Sequence, residues 1–298
     1  MRWIGLIAFL MLSCVASASV NFIDSWTDLK NMPTSSTSTN YLLVDLNSSS
    51  ADYTGIGNDW HPIPSFSGVF DGLGRSIENM ISHAVWWPGS CVGFIHQNDG
   101  TIKRVGFINC GIYGNPYPGQ YQGIMTGINN GTISDCYVYS ANVIQFHTGL
   151  YSGGGLIAGL NNGMIKQCYA VGRLVFGSES SLDFGSGGLV GRHDRTAGAV
   201  MMSCWACVNS PLMPHYGFGG AIGTICWDGS DYGVYGLGWV NSPSNDTYAV
   251  GLHTVGLCGT KPTRWAIATY ETGTITTFCD PSHSIYTLTS PWLSLIHI

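Results

Sequence analysis

Cys204 and Cys207 form the one Cys-x-x-Cys pair of the sequence, a spacing that suits a metal, and His215 and Cys226 could complete a tetrahedral set. A zinc ribbon repeats that pair and this sequence does not, so packed thiols or a disulfide are expected there and no cofactor is called for. A zinc peptidase would place His-Glu-x-x-His on one helix face, yet no histidine here is followed by glutamate. Gly-x-Ser-x-Gly, a phosphate-cradling Gly-x-x-x-x-Gly-Lys and an EF-hand loop are also absent from the sequence.

Carboxylates are the other route to chemistry. Glycoside hydrolysis needs two of them about 5–9.5 Å apart. Asp228 and Asp231, with Asp183, Asp194 and His193 on neighbouring loops, are the candidates. Asp228 and Asp194 lie in turn-like sequence, and Asp71 lies in a Phe-Asp-Gly turn, where aspartate bonds its own backbone. Aromatic residues suit a sugar- or peptide-binding groove: Trp86, Trp87, Tyr117, Tyr121 and Trp227 are the binding candidates, and Tyr113, Trp205 and Trp239 share their variable segments. Burial between strands is the competing role for each. Asn47, Asn130 and Asn245 head glycosylation-type triplets, although Asn130 is first of all a turn residue. A Thr-rich tract at 272–277 occurs only once, which argues against a repeated ice-binding array.

The elements that must position these residues begin with an export signal. Arg2, an apolar run over 3–12 and Ala16-Ser17-Ala18 predict a signal peptide over 1–18. Leu12-Ser13-Cys14 offers a rival lipoprotein site that would leave Cys14 as the lipid-bearing residue. Cleavage after Ala18 would leave nine of the ten cysteines, an odd number. No later stretch has the length and apolarity of a transmembrane span.

The surface is Ser, Thr, Asn and Gly rather than the Glu and Lys that helices favour, with 41 glycines and 17 acids, only three of them glutamate. A net charge of −6 and no Lys/Arg cluster exclude a nucleic-acid partner.

Self-comparison gives the architecture. Gly123-Ile-Met-Thr-Gly-Ile-Asn-Asn-Gly131-Thr-Ile-Ser-Asp-Cys136-Tyr returns 32 residues on as Gly155-Leu-Ile-Ala-Gly-Leu-Asn-Asn-Gly163-Met-Ile-Lys-Gln-Cys168-Tyr. Residues 92–106 fit the same template with Val105 at the cysteine position, residues 188–205 repeat it through Cys204, and Gly219 starts a degraded copy. Each unit reads as strand, Asn-Gly or Asp-Gly turn, strand and variable loop, with Ile133, Ile165 and Val200 at half-buried strand positions. The turn alone would also suit an antiparallel hairpin. Repetition at about 30 residues instead predicts stacked coils with Cys136, Cys168 and Cys204 in one inward column, where a packed thiol or a disulfide is expected.

This repeat resembles the GLUG motif of filamentous-haemagglutinin-like surface proteins and of the non-catalytic stretches of IgA-cleaving metallopeptidases. The segments Trp26-Thr-Asp-Leu-Lys, Tyr41-Leu-Leu-Val-Asp-Leu, Trp60-His-Pro-Ile and Phe66-Ser-Gly-Val-Phe-Asp-Gly-Leu-Gly are similar to the lead-in of such proteins. The resemblance covers roughly 22–225 and implies an all-β, right-handed parallel β-helix with an N-terminal capping segment. The expected organisation is a cap over 19–62 and a β-helix over 63–292, clearest over 91–225. Residues 293–298 read as adapter-derived sequence, so the natural chain is expected to continue past Trp292.

The expected function is a non-enzymatic solenoid, secreted or on the cell surface, with an extracellular glycan or a cell-surface protein as partner. Its variable segments 111–120 and 178–187 would carry the contacts. A β-helix polysaccharide lyase or glycoside hydrolase is the alternative, and the accessory region of a larger surface protease is the second.

Overall fold

The computed structural model describes residues 18–241 apart from 56, 58, 85–90, 115–120, 146–152, 177–184, 195–196, 203, 210–217, 220–221 and 227–237. Four sheets make up the described region, with seven strands in sheet A, nine in sheet B (seven in its main run and two beside it), six in sheet C and four in sheet D. Every strand pair is parallel, and partners lie about one repeat apart, so the chain is a parallel β-solenoid. The hairpin reading of the Asn-Gly turns is thereby excluded.

A representative coil runs from Thr101–Lys103 in sheet A to Gly106–Ile108 and Gly111–Gly114 in sheet B. It continues through Tyr121–Gly123 in sheet D to Thr126–Asn129 in sheet C. The turn at Asn130-Gly131 then returns the chain to sheet A at Thr132–Ser134.

Glycine is needed at that turn for close approach. A Cβ on Gly100, Gly131 or Gly163 would stand 2.1, 2.1 or 2.2 Å from the carbonyl oxygen of the equivalent glycine one coil earlier. The corner between sheets A and B instead uses left-handed residues that are not glycine: Arg104, Asp135 and Gln167 have φ of 53°, 56° and 55°. Asn79, Asn109 and Ser140, at 57°, 52° and 55°, bend each sheet B run in two. Asn and Asp tolerate this conformation at modest cost because their short side chains can bond locally.

Inside the coils, Phe70, Ile102, Ile133 and Ile165 stack in one buried column. The next residue of that column is Met201, in register with Ile165, while Val200 pairs with Met164 and is 38% exposed. The expected half-buried role of Val200 therefore shifts by one position. A strand has a two-residue period, so a one-residue error moves a side chain to the other face.

The N-terminal end of the core is closed by rings. Helix Trp26–Lys30 is capped by Ser25, whose side chain accepts from the Asp28 amide. Trp26 lies 4.5 Å from Tyr53 and 5.9 Å from Trp60 between ring centroids, and Trp60 lies 5.5 Å from Phe94. The Trp26 and Trp60 indoles donate to the carbonyls of Asn47 and Phe94 at 3.0 and 2.8 Å, which satisfies the polar edge of each ring.

Candidate functional site

His193 and Asp194, expected on a loop near other carboxylates, end two columns of side chains at the corner between sheets C and A. The inner column is buried and consists of Asn98, Asn129, Asn161 and His193. Asn98 Nδ2 donates to Asn129 Oδ1 and Asn129 Nδ2 to Asn161 Oδ1, each at 2.7 Å. Asn161 Nδ2 stands 3.1 Å from His193 Nδ1. The sense of this column is fixed by backbone groups. Asn98 Oδ1 accepts from the Gly100 amide, and the Asn129 and Asn161 amino groups also donate to the Gly131 and Gly163 carbonyls. Asn161 must therefore present N–H to the imidazole, and His193 Nδ1 is an acceptor.

The outer column runs the other way. Asn162 Nδ2 donates to Asn130 Oδ1 at 2.9 Å, and Asn130 Nδ2 donates to Asp99 Oδ1 at 2.7 Å. Asp194 follows His193 in the chain, as Asn162 follows Asn161, and its Oδ1 accepts from the Ala197 amide at 3.3 Å. It serves its own turn, the structural role that its sequence context suggests. Asp71 also accepts from an amide two residues on, that of Leu73, at 3.0 Å. Arg104, one coil further on, holds both of its oxygens through Nε and Nη2, and Lys103 Nζ lies 3.3 Å from Oδ2. Burial pushes the Asp71 pKa up, but the Arg104 hydrogen bonds, the Leu73 amide and the two positive charges outweigh it and hold the carboxyl below its ordinary value.

Cys136, Cys168 and Cys204 occupy the inward column below Val105, each 0–1% exposed. Their Sγ atoms donate to backbone carbonyls, among them Ser134 and Lys166 at 3.0 and 3.1 Å and Ile165 at 3.6 Å. Cys136 and Cys168 are free thiols here, as are Cys91 and Cys110. Burial raises the Cys168 thiol well above the ordinary range, and contacts with Cys136 and Cys204 add to the effect. Burial also pushes Cys91 up to about 11 and Cys110 to about 12. Thiols of this kind are poor nucleophiles. Cys207 lies in strand Trp205–Asn209, its backbone in register with Val171 and Trp239. No group of three or more His, Cys, Asp or Glu among the described residues is arranged to hold a metal ion.

Among the binding candidates, Tyr121 lies at the start of Tyr121–Gly123 in sheet D. A Cβ on Gly153 or Gly159 would meet Tyr121 atoms at 3.0 and 2.6 Å, so glycines in the next coil form the floor under this residue. Two coils on, Arg192 Nη1 lies 3.5 Å from the Tyr121 hydroxyl. His96, half-buried, stands by the same edge, where its Nε2 faces the Cys91 amide at 3.5 Å, and burial lowers its imidazole below the ordinary value. Sheet B carries a second aromatic row. The rings of Tyr137 and Tyr169 stack at 5.3 Å and 8°, and His83 lies 5.9 Å from Tyr113; the backbone of Trp205 is in register with that of Tyr169. Trp86, Trp87, Tyr117, Trp227, Asp183, Asp228, Asp231 and His215 lie outside the described residues, as do residues 1–17, including the export signal and Cys14, and 242–298.

Sequence reasoning missed two features. The inner amide column was legible in principle as the first Asn of each Asn-Asn-Gly or Asn-Asp-Gly turn. Gln122, fully buried with neither Oε1 nor Nε2 hydrogen-bonded, carries no repeat signal at all.

No protein-family model matches the chain, and no curated protein matches it. Among solved structures it is similar to a Bacteroides ovatus protein proposed to be an immunoglobulin A1 protease, with a TM-score of 0.50 and 23% identity. The match covers 74% of this chain and 66% of that one. At this identity the likeness is one of fold, and it agrees with the parallel solenoid.

Proposed function

We propose that the chain is a non-enzymatic β-solenoid, displayed on a cell surface or secreted, that works as a stiff stalk with an adhesin-like interaction edge. The observation that carries this reading is where the polar chemistry goes. Asn98, Asn129 and Asn161 bond one another, Asp99, Asn130 and Asn162 do the same outside, and Asp71 is held by Arg104. Side chains spent on joining coil to coil make a rod that resists bending and proteolysis, and they are not poised to transfer protons. The edge bearing Tyr121 and Arg192 is the place for a partner, because an aromatic ring beside a guanidinium suits a glycan or a polar protein surface.

A glycan array probed with the whole chain, followed by a reducing-end assay on every hit, tests this. Binding without product, weakened at least tenfold in Tyr121→Ala at unchanged circular dichroism, is the expected result. Release of product would overturn it in favour of a lyase or hydrolase. The second reading is the accessory region of a larger surface protease. It draws on the solved neighbour, a protein proposed to be an immunoglobulin A1 protease that is longer than the matched stretch.

A further inference from the structure

We infer that the column Cys136, Cys168, Cys204 is a disulfide site with Cys168 as its fixed member: oxidation closes one bridge, to Cys136 or to Cys204, and leaves the third thiol over. The inference is independent of which partner the solenoid binds.

The register puts these residues side by side. Ser134, Lys166 and Met202 are successive partners two positions before, and Tyr137, Tyr169 and Trp205 are successive partners one position after. Neighbouring cysteines are therefore one strand spacing apart, about 4.8 Å. That lies inside the window of roughly 4.4–6.8 Å between Cα atoms that a disulfide requires. All three thiols are buried in this column, where Cys136 and Cys204 flank Cys168 closely enough to add to the upward shift of its thiol. Cys136 and Cys204 are two spacings apart, roughly 9.6 Å, too far to bridge. Three thiols thus offer two bridges, and Cys168 belongs to both.

The oxidant is a small-molecule or protein disulfide. One cysteine thiolate attacks it, forms a mixed disulfide and expels one thiol. The neighbouring cysteine thiolate then attacks the protein sulfur of the mixed disulfide and expels the second. The two protein thiols give up two protons and two electrons, and the oxidant leaves as two thiols. Burial of the column makes the reaction slow in the closed solenoid, so the bridge forms as the coils stack or when they open. The leftover thiol lies against Cys168 and can attack that sulfur, moving the bridge one coil along with no net oxidation. Cys110, which shares its column with Met80 and Ala141, has no such neighbour and serves as an internal control.

The test is oxidative refolding of the whole chain in glutathione buffer, alkylation with N-ethylmaleimide in denaturant, and peptide mass mapping. Most chains are expected to carry one bridge, Cys136 to Cys168 or Cys168 to Cys204. Cys136→Ala shifts it wholly to the second position and Cys204→Ala to the first, while Cys168→Ala leaves both remaining thiols alkylated. Full alkylation of all three thiols, or a bridge between Cys136 and Cys204, would overturn the inference. Slow oxidation of the already folded chain by oxidised glutathione gives the same readouts without depending on refolding yield.

Discussion

Gln122 and Asn129 are seven residues apart, both carry a carboxamide and both are fully buried, yet they end in opposite circumstances. Asn129 has Asn98 above it and Asn161 below it, and its amide bonds both. Gln122 has Val92 on one side and Gly154 on the other, and neither of its polar atoms finds a partner. A solenoid sets each residue against its counterparts one coil away. An amide repeated at that interval is satisfied by its own kind, because it is both donor and acceptor. An amide that occurs once must rely on whatever its neighbours offer, and valine and glycine side chains offer nothing.

Breaking the satisfied member should have the larger effect. Asn129→Leu removes two interamide bonds and leaves Asn98 Nδ2 and Asn161 Oδ1 buried without each other's column. Each stranded group costs about 1–3 kcal/mol, so the total loss is about 4 kcal/mol. A urea titration followed by circular dichroism reads this as a lowered midpoint at nearly constant slope. A loss under about 1 kcal/mol would mean that the column is held by its backbone contacts alone.

The opposite change at the other residue should have the opposite sign. Gln122→Met keeps the side-chain length, removes a buried amide that nothing satisfies, and should raise stability by about 2 kcal/mol. The same titration checks it. Lower stability in that variant would show that the amide is satisfied in solution, and the contrast with Asn129 would collapse.

These two residues also mark what could be read in advance. The repeat at 123–137 and 155–169 disclosed the parallel stacking and the cysteine column, because both follow from periodicity alone. The inner asparagine column carries the same signal but reads as turn chemistry, since Asn before Gly is explained by the turn whether or not its amide faces inward. That the inward position falls on Met201 rather than Val200 is not legible, because the extra residues between Asp194 and Met201 hide the register, which the pairing with Ile165 reveals. Tyr121 could be singled out as an aromatic in a variable segment. Its hydroxyl's approach to Arg192 could not, because the two are 71 residues apart and belong to coils that differ in length.

Asp71 separates two explanations of the contrast, that single-copy polar residues fare badly inside coils or that they fare badly only without complementary neighbours. It is a non-repeated carboxylate whose side chain is only 2% exposed, yet Arg104, Lys103 and the Leu73 amide all address it. If complementarity decides, Asp71→Asn should destabilise the chain by about 1.5 kcal/mol at neutral pH, less than a fully buried pair would because Arg104 is half exposed. The pH dependence gives the sign. The folded carboxyl is held below its ordinary value, so the unfolded chain binds the proton more readily. Its stabilisation is complete above the unfolded value of about 4 and is lost as pH falls through the folded one. The gap between wild type and Asp71→Asn should therefore be constant from pH 7 to about 5 and shrink below about 4. A gap that ignored pH would assign the effect to packing and leave the satisfied amide column as the better explanation of how these coils tolerate buried polarity.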